Sequence, residues 1–120
     1  MIKIVVGGQM DKQAIAKMIE SYSAGKVEVS IKSDLEAAMA VQMGQADYYI
    51  GACATGAGAA IAMAIGMLGF DACASLSVPG KLMSEEEIKQ QVESGKKAFG
   101  FVNTDIERVL PHLIKCLLEE

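Results

Sequence analysis

Short apolar runs alternate along the chain with segments whose apolar residues recur at helical spacing. The run IKIVV ends at Gly7 and Gly8 and predicts a buried strand, and the following KQAIAKMIESY predicts an amphipathic helix. Four more pairs follow, each a predicted strand and then a predicted helix. The strands are KVEVSI, YYI, ACASLSV and AFGFV, and the helices that follow them in the same order are SDLEAAMAVQMG, the segment from Gly58 to Leu68, EEEIKQQVES and IERVLPHLIKCLLEE.

Five strands that are each followed by a helix predict a parallel sheet with helices on both faces. The strands are mostly continuous apolar runs, which is typical of strands buried on both faces. We therefore expect one domain over residues 1–120 with a three-layer α/β/α fold. Its five-stranded parallel sheet would be of the Rossmann-like or flavodoxin-like class.

Three helices are predicted to begin at a capping box, in which a serine or threonine is followed three residues later by a glutamate. These hydroxyl groups are explained by capping and are not taken as candidates for chemistry. The pairs are Ser33 and Glu36, Ser84 and Glu87, and Thr104 and Glu107.

Composition and charge narrow the class of protein. Apolar residues make up 52% of the 120 residues, which argues against disorder, and 11 basic against 15 acidic side chains give a net charge of −4. Because the chain has no cluster of basic residues, a nucleic-acid partner is not expected. The sequence shows no secretory leader, so we expect a cytoplasmic protein.

The three cysteines are expected to be reduced thiols, since their number is odd and no leader directs the chain to an oxidising compartment. Cys73 and Cys116 fall inside a predicted strand and helix and are expected in the core. His112 is the only histidine, and no two cysteines have the spacing of metal ligands, so neither a metal nor a cofactor is expected.

No charged residue occurs between Tyr48 and Phe70, which raises the possibility of a membrane span. Five glycines interrupt this stretch, and neither flank carries a lysine or arginine anchor. A strand, a glycine-rich turn and a helix explain the stretch better, so membrane insertion is not expected.

The turn after the third strand, within GACATGAG, is the principal candidate site. Ligands of such sheets bind outside the carboxyl ends of the strands, and strand three is central in the common strand orders. Glycines in the turn expose backbone N–H groups, and the helix that follows adds its own, which together suit a phosphate or carboxylate. With the neighbouring strand-end loops, the ligand-binding candidates are Gly8, Gln9, Thr55, Gly56, Ala57, Gly58, Ser77, Lys81 and Asn103.

Cys53 is the candidate catalytic residue, because a helix N-terminus lowers the pKa of a nearby thiol and would make it a base or a nucleophile. The alternative is that Cys53 is a small core residue and that the glycines only let the helix lie close to the sheet. The residues alone leave both interpretations open.

The segments DLEAAMAV, DYYIGACATGAGAA and KKAFGF resemble the YhfU-like proteins, a bacterial family of unknown function, along essentially the whole chain. The resemblance implies a role in small-molecule metabolism without naming a substrate.

A local resemblance links YYIGACATGAGAAIAMAIGMLGFDACASL to the ribose-5-phosphate isomerase B and galactose-6-phosphate isomerase family. It implies that Cys53 is a proton-transferring base and that Thr55, Gly56 and Gly58 hold an enediolate. The sequence departs from that family at Ala54, where the family has glycine, and in the loop GGQMD, which lacks the family's Asp-His pair. The cysteine-phosphorylated IIB domains of sugar transport are also similar, although their cysteine follows the first strand.

Two functions remain open at this point. The first is binding of a small phosphorylated or carboxylated metabolite, with isomerase-like chemistry through Cys53; the second is a non-catalytic accessory or binding subunit of an uptake system. The Ala-, Gly- and Met-rich third helix and a mean hydropathy of +0.30 also predict a homodimer or higher homo-oligomer.

Overall fold

The computed structural model describes residues 1–54 and 57–119. Short 3-10 turns at Phe70–Ala72 and Asn103–Asp105 precede the fourth strand and the last helix. The strands and helices are β1 (Ile2–Gly8), α1 (Lys12–Ser23), β2 (Val27–Ile31), α2 (Asp34–Gln42), β3 (Tyr48–Cys53), α3 (Ala57–Leu68), β4 (Cys73–Ser75), β5 (Ser77–Val78), β6 (Lys81–Leu82), α4 (Glu85–Glu93), β7 (Ala98–Val102) and α5 (Ile106–Glu119).

The main sheet has five strands in the order β2-β1-β3-β7-β4, and every neighbouring pair is parallel. Helices α1, α4 and α5 pack on one face and α2 and α3 on the other, which confirms the three-layer α/β/α fold. The last two strands are exchanged relative to the flavodoxin order, because α3 carries the chain to the edge strand β4 and α4 brings it back to β7. The third strand is central, as expected.

Side chains on the two faces of the sheet differ in size. The face under α1, α4 and α5 carries large residues such as Ile4, Phe99 and Phe101, which are fully buried. Apart from Tyr49, the face under α2 and α3 carries smaller ones such as Val5 and Ala98. The two helices on that side can therefore lie closer to the strands.

Of the three predicted capping boxes, the one at Ser84 is complete: the Glu87 amide donates to Oγ of Ser84 over 3.2 Å, and the Ser84 amide donates to Oε1 of Glu87 over 3.0 Å. Ser33 is the N-cap of α2, since the Glu36 amide donates to its Oγ over 3.2 Å, but the Glu36 carboxylate accepts from the Ser33 hydroxyl group instead of the Ser33 amide. The third prediction is wrong, because Thr104 lies inside the 3-10 turn that runs directly into α5.

The prediction of a single fourth strand over ACASLSV is also wrong in part. The strand β4 ends at Ser75, and β5 leaves the sheet to form an antiparallel two-stranded hairpin with β6. Gly80, with φ of 80°, supplies the left-handed residue of the turn between them. The Pro-Gly pair was the sequence signal for this reversal.

The uncharged stretch from Tyr48 to Phe70 contains the strand β3 and the helix α3. Of the helices within residues 1–54 and 57–119, none is long and apolar enough to cross a membrane.

Candidate functional site

Three glycines lie side by side on adjacent strands beneath the start of α3. Gly7 pairs in register with Gly51, and Gly51 pairs with Gly100. A Cβ atom on Gly51 would lie 2.9 Å from the carbonyl oxygen of Ala60, and one on Gly100 would lie 2.8 Å from Cγ2 of Ile61. The start of α3 is therefore held closer to β3 and β7 than a larger residue at Gly51 or Gly100 would allow.

Tyr49 connects this part of α3 to the end of β1. Its buried hydroxyl group accepts a hydrogen bond from the amide of Gly8 over 2.9 Å and donates one to the carbonyl oxygen of Ala60 over 3.1 Å. The next residue, Ile61, leaves the helical conformation with φ of −131° and ψ of 19°. The expected regular helix thus begins at Ala57 but is interrupted after one turn, so its peptide dipoles do not form one continuous series.

The end of β1 folds over the end of β3. The amides of Gln9 and Met10 both donate to the carbonyl oxygen of Ala52, over 3.0 and 3.1 Å. Gly8 has φ of 80°, and a Cβ atom there would lie 2.7 Å from the backbone nitrogen of Ala52. The structure therefore places Gly8 and the exposed Gln9 beside the strand that leads to Cys53.

Cys53 is the last residue of β3, pairs in register with Val102 and is 2% exposed. By strand alternation it lies on the same face as Tyr49 and Gly51, the face under α3. This burial agrees with the packing interpretation, and proton transfer by Cys53 stays a prediction.

Four predicted site residues follow Cys53 closely in the sequence. Thr55 and Gly56 lie outside the described residues, so their role as ligand-binding groups stays a prediction. Ala57 and Gly58 are the first two residues of α3, and their role as ligand-binding groups also stays a prediction.

The other predicted site residues separate into two groups. The Asn103 amide donates to Oδ2 of Asp11 over 3.4 Å, which brings the end of β7 to the end of β1. Oγ of Ser77 is buried and accepts from the amide of Val102 over 2.8 Å, so this hydroxyl joins the β5 hairpin to the main sheet. Lys81 is exposed on β6 near Glu87 of α4.

Cys73 and Cys116 are buried, as expected, and burial raises the pKa of both thiols above the ordinary value. His112 contacts the carbonyl oxygen of Glu85 through Nε2 at 2.8 Å. In the part of the chain that the structure describes, no three His, Cys, Asp or Glu side chains lie close enough together to hold a metal ion.

Two charged residues at the carboxyl edge of the sheet were not selected from the sequence. Nζ of Lys12 donates to the carbonyl oxygen of Lys32 over 2.8 Å, which fixes an ammonium group between the ends of β1 and β2. Oδ1 of Asp34 is buried and, among the described residues, has no hydrogen-bond partner. Both residues come shortly after the end of a predicted strand, and this position in the sequence could have identified them as candidates for the site.

Asp34 also lies close to Tyr49. Burial raises the pKa of the Tyr49 phenol well above its ordinary value, and the negative charge of Asp34 raises that pKa further. The phenol therefore stays protonated at neutral pH and keeps its hydrogen bond to Ala60.

Open grooves of about 500 and 350 Å³ lie at the amino edge, where Asp47 and Lys97 line both of them. A third, of about 220 Å³, lies beside β2 and α2. Ligands of open α/β sheets bind at the opposite edge, so we place the candidate site at the carboxyl ends of β1, β3 and β7.

Comparison with known proteins gives a family but no activity. Residues 2–117 match the family model described as protein of unknown function DUF2620. Proteins named "Uncharacterized protein YhfU" from Escherichia coli strain K12, Escherichia coli O6:H1 and Shigella flexneri are each 44% identical over 117 residues, covering 98% of this chain and 99% of each relative. No solved structure matches the chain. The chain belongs to the DUF2620 family of proteins of unknown function.

Proposed function

We propose that the protein binds a small phosphorylated or carboxylated metabolite at the carboxyl edge of its sheet, near the end of β3 and the start of α3. The observation that carries this proposal is the position of β3. It is the central strand of the sheet. From β1 the chain first adds β2 on one side of β1 and then crosses to add β3 on its other side, so the strand order reverses between β1 and β3. Ligand sites in open α/β sheets form at such a reversal.

The groups at the carboxyl ends of β1 and β3 supply positive charge for an anionic ligand. The ammonium group of Lys12 stands at the same edge, where its hydrogen bond to Lys32 fixes its position. Backbone N–H groups at the start of α3 face outward from the sheet edge, as they do at any helix N-terminus. A ligand phosphate or carboxylate between them would meet donors from two directions.

The half-buried carboxylate of Asp34 narrows the ligand class. Its Oδ1 is shielded from solvent, so a ligand hydroxyl group or ammonium group would donate to the other oxygen of this carboxylate. We therefore favour a metabolite that carries both an anionic group and a hydroxyl group, such as a sugar phosphate.

Isomerase-like chemistry is the finer form of this proposal. In it Cys53 removes a proton from the hydroxyl-bearing carbon beside the ligand carbonyl and returns it to the former carbonyl carbon, while the proton of that hydroxyl group passes to the former carbonyl oxygen, so that no other reactant is needed. The buried position of Cys53 and the absence of an Asp-His pair in GGQMD support the alternative, a binding subunit without turnover. A homodimer or higher homo-oligomer is part of either form.

Thermal unfolding of the purified protein tests the proposal. The ligand set is inorganic phosphate, a series of sugar phosphates and small carboxylates. At a concentration one hundred times its dissociation constant, a bound ligand adds about 2.7 kcal/mol and raises the melting temperature by several degrees. We expect the largest increase from a hydroxylated anion, and an absence of any increase across the series would refute the proposal.

A further inference from the structure

The helices on the two faces of the sheet present different surfaces to solvent. The outward side of α3 carries Ala62, Met63 and Gly66, and no residue of α3 is charged. The outward side of α2 carries Leu35, Met39 and Gln42, with Glu36 as its one exposed charge. The three helices on the other face carry many exposed charged residues. Among them are Lys17, Glu20, Glu86, Lys89, Arg108 and Lys115.

The outward sides of α2 and α3 form one continuous surface, which we call the α2/α3 face and define by Leu35, Met39, Met43, Met63 and Gly66. Nε2 of Gln42 donates to the carbonyl oxygen of Met67 over 3.0 Å and joins the two helices along it. Met43 is 62% exposed and Met63 is 47% exposed. Apolar surfaces that are rimmed by polar residues and depleted of charge mark protein interfaces, and methionine is enriched in them.

Gly66 gives a second, independent indication. Glycine is destabilising inside a helix, and it is normally explained by a close approach of neighbouring atoms or by a positive φ. Gly66 has neither, since a Cβ atom there would meet no other atom within 4 Å and its φ is not in the left-handed region. Nothing within the described protomer uses the missing side chain, whereas a second molecule packed on this face would.

We infer that the α2/α3 face is the contact surface of a homodimer, in which two copies of this chain meet around a twofold axis. The charge pattern selects a second copy as the occupant. A twofold axis places each patch against itself, so charged residues near the axis would face their own sign. Apart from Glu36, the α2/α3 face carries no exposed charge on its two helices, although the chain carries a net charge of −4.

Sedimentation velocity of the full chain from 1 to 100 µM (on the order of the concentrations at which such contacts form) tests the inference. We expect the wild type to sediment at twice its monomer mass of 12.7 kDa. The substitution Met63→Glu would place two carboxylates near the axis and weaken the dimer by at least roughly 100-fold. The matched control is Tyr22→Glu on α1, because Tyr22 is also 47% exposed but lies on the charged side.

A second variant separates loss of contact from loss of folding. Gly66→Arg adds a good helix former into open space, so each protomer should stay folded by circular dichroism while the dimer is lost. A wild type that is monomeric at the highest concentration, or larger than a dimer, would overturn the inference. So would a Met63→Glu protein that remains dimeric, or a Tyr22→Glu protein that dissociates. None of these results depends on ligand binding.

Discussion

The hydroxyl group of Tyr49 lies 3.1 Å from the carbonyl oxygen of Ala60 and links the central strand to the first turn of the helix above it. The same hydroxyl accepts from the amide of Gly8 over 2.9 Å, so one side chain joins the ends of β1 and β3 to α3. These are the elements that border the candidate site. We interpret Tyr49 as the residue that holds the site's framework together.

Replacing Tyr49 by phenylalanine should destabilise the protein by about 2 kcal/mol or more, because the buried amide of Gly8 and the carbonyl group of Ala60 each lose a partner. Denaturant unfolding measures the change. Tyr22→Phe removes the same hydroxyl group from an exposed side chain and should have almost no effect. Equal effects of the two substitutions would contradict the role assigned to Tyr49.

Stability at alkaline pH should also depend on Tyr49. Burial and the charge of Asp34 raise the pKa of this phenol in the folded protein, whereas in the unfolded chain it ionises near its ordinary value of about 10. Above about pH 10 the unfolded chain therefore binds fewer protons than the folded protein, and the free energy of unfolding falls as pH rises.

The measurement is the difference in unfolding free energy between wild type and Tyr49→Phe, followed from neutral pH to about pH 11. We expect this difference to be constant below about pH 10 and to shrink above it, since the variant lacks the titrating group. A difference that stays constant through the whole range would show that the Tyr49 pKa is not raised by folding.

The close approach of β1 to β3 can be tested with two glycines of nearly equal conformation. Gly8 and Gly44 have φ of 80° and 77°, so alanine costs similar backbone strain at both, about 1 kcal/mol. A Cβ atom on Gly8 would meet Ala52 at 2.7 Å, whereas one on Gly44 would meet nothing within 4 Å.

Gly8→Ala should therefore reduce the free energy of unfolding by clearly more than Gly44→Ala. The excess is expected to be on the order of 1–3 kcal/mol, the range for overpacked sites. Similar losses for the two variants, measured by denaturant unfolding, would mean that the end of β1 does not lie against β3 as described.

Asp34→Asn tests the ligand class. The substitution should weaken binding of a hydroxylated anion by about 10-fold or more, because a hydrogen bond to a charged acceptor is lost, while binding of inorganic phosphate should not weaken. Glu36→Gln removes the same charge from the exposed side of the same helix and serves as the control. If Asp34→Asn does not weaken the hydroxylated anion, or changes the binding of both ligands by the same factor as Glu36→Gln, only net charge is involved and Asp34 does not contact the ligand.

Cys53→Ser separates the two forms of the proposed function. Ligand binding, measured by calorimetry, should survive the substitution in either form. If the protein catalyses isomerisation, turnover of the bound metabolite should fall by a factor of about 100 or more, since proton transfer by a placed base contributes that much. A turnover that survives would leave Cys53 as a core residue.

Much of the fold could be predicted because its signals are local. The apolar runs of β1, β3 and β7 and the serine caps of α2 and α4 are each visible within a few residues. The exchange of the last two strands was not predictable in this way, because it depends on pairing between Ala98 and its neighbours Tyr49 and Cys73, which are distant in sequence. Thr104 is not the N-cap of α5, because it lies inside the 3-10 turn Asn103–Asp105 that leads directly into this helix.

The candidate site was predicted only where strand ends carry obvious chemistry. Gln9 and Asn103 were selected because they are polar residues that follow a predicted strand. Lys12 and Asp34 also follow predicted strands but were not selected. Tyr49 could not be found, because in the sequence it is one more apolar residue of a buried strand. Its function comes from contacts with Gly8 and Ala60, which only the folded chain brings together.

The most direct test of the central proposal is a titration of the isotope-labelled protein with ribose 5-phosphate and with inorganic phosphate, followed by nitrogen–proton correlation spectra. We predict saturable shifts in the backbone amides of Gln9, Ala54 and Gly58, at the ends of β1 and β3 and the start of α3. Shifts centred instead on Lys26 and Lys97, in the groove at the amino edge, or no saturable shift with either compound, would contradict the account.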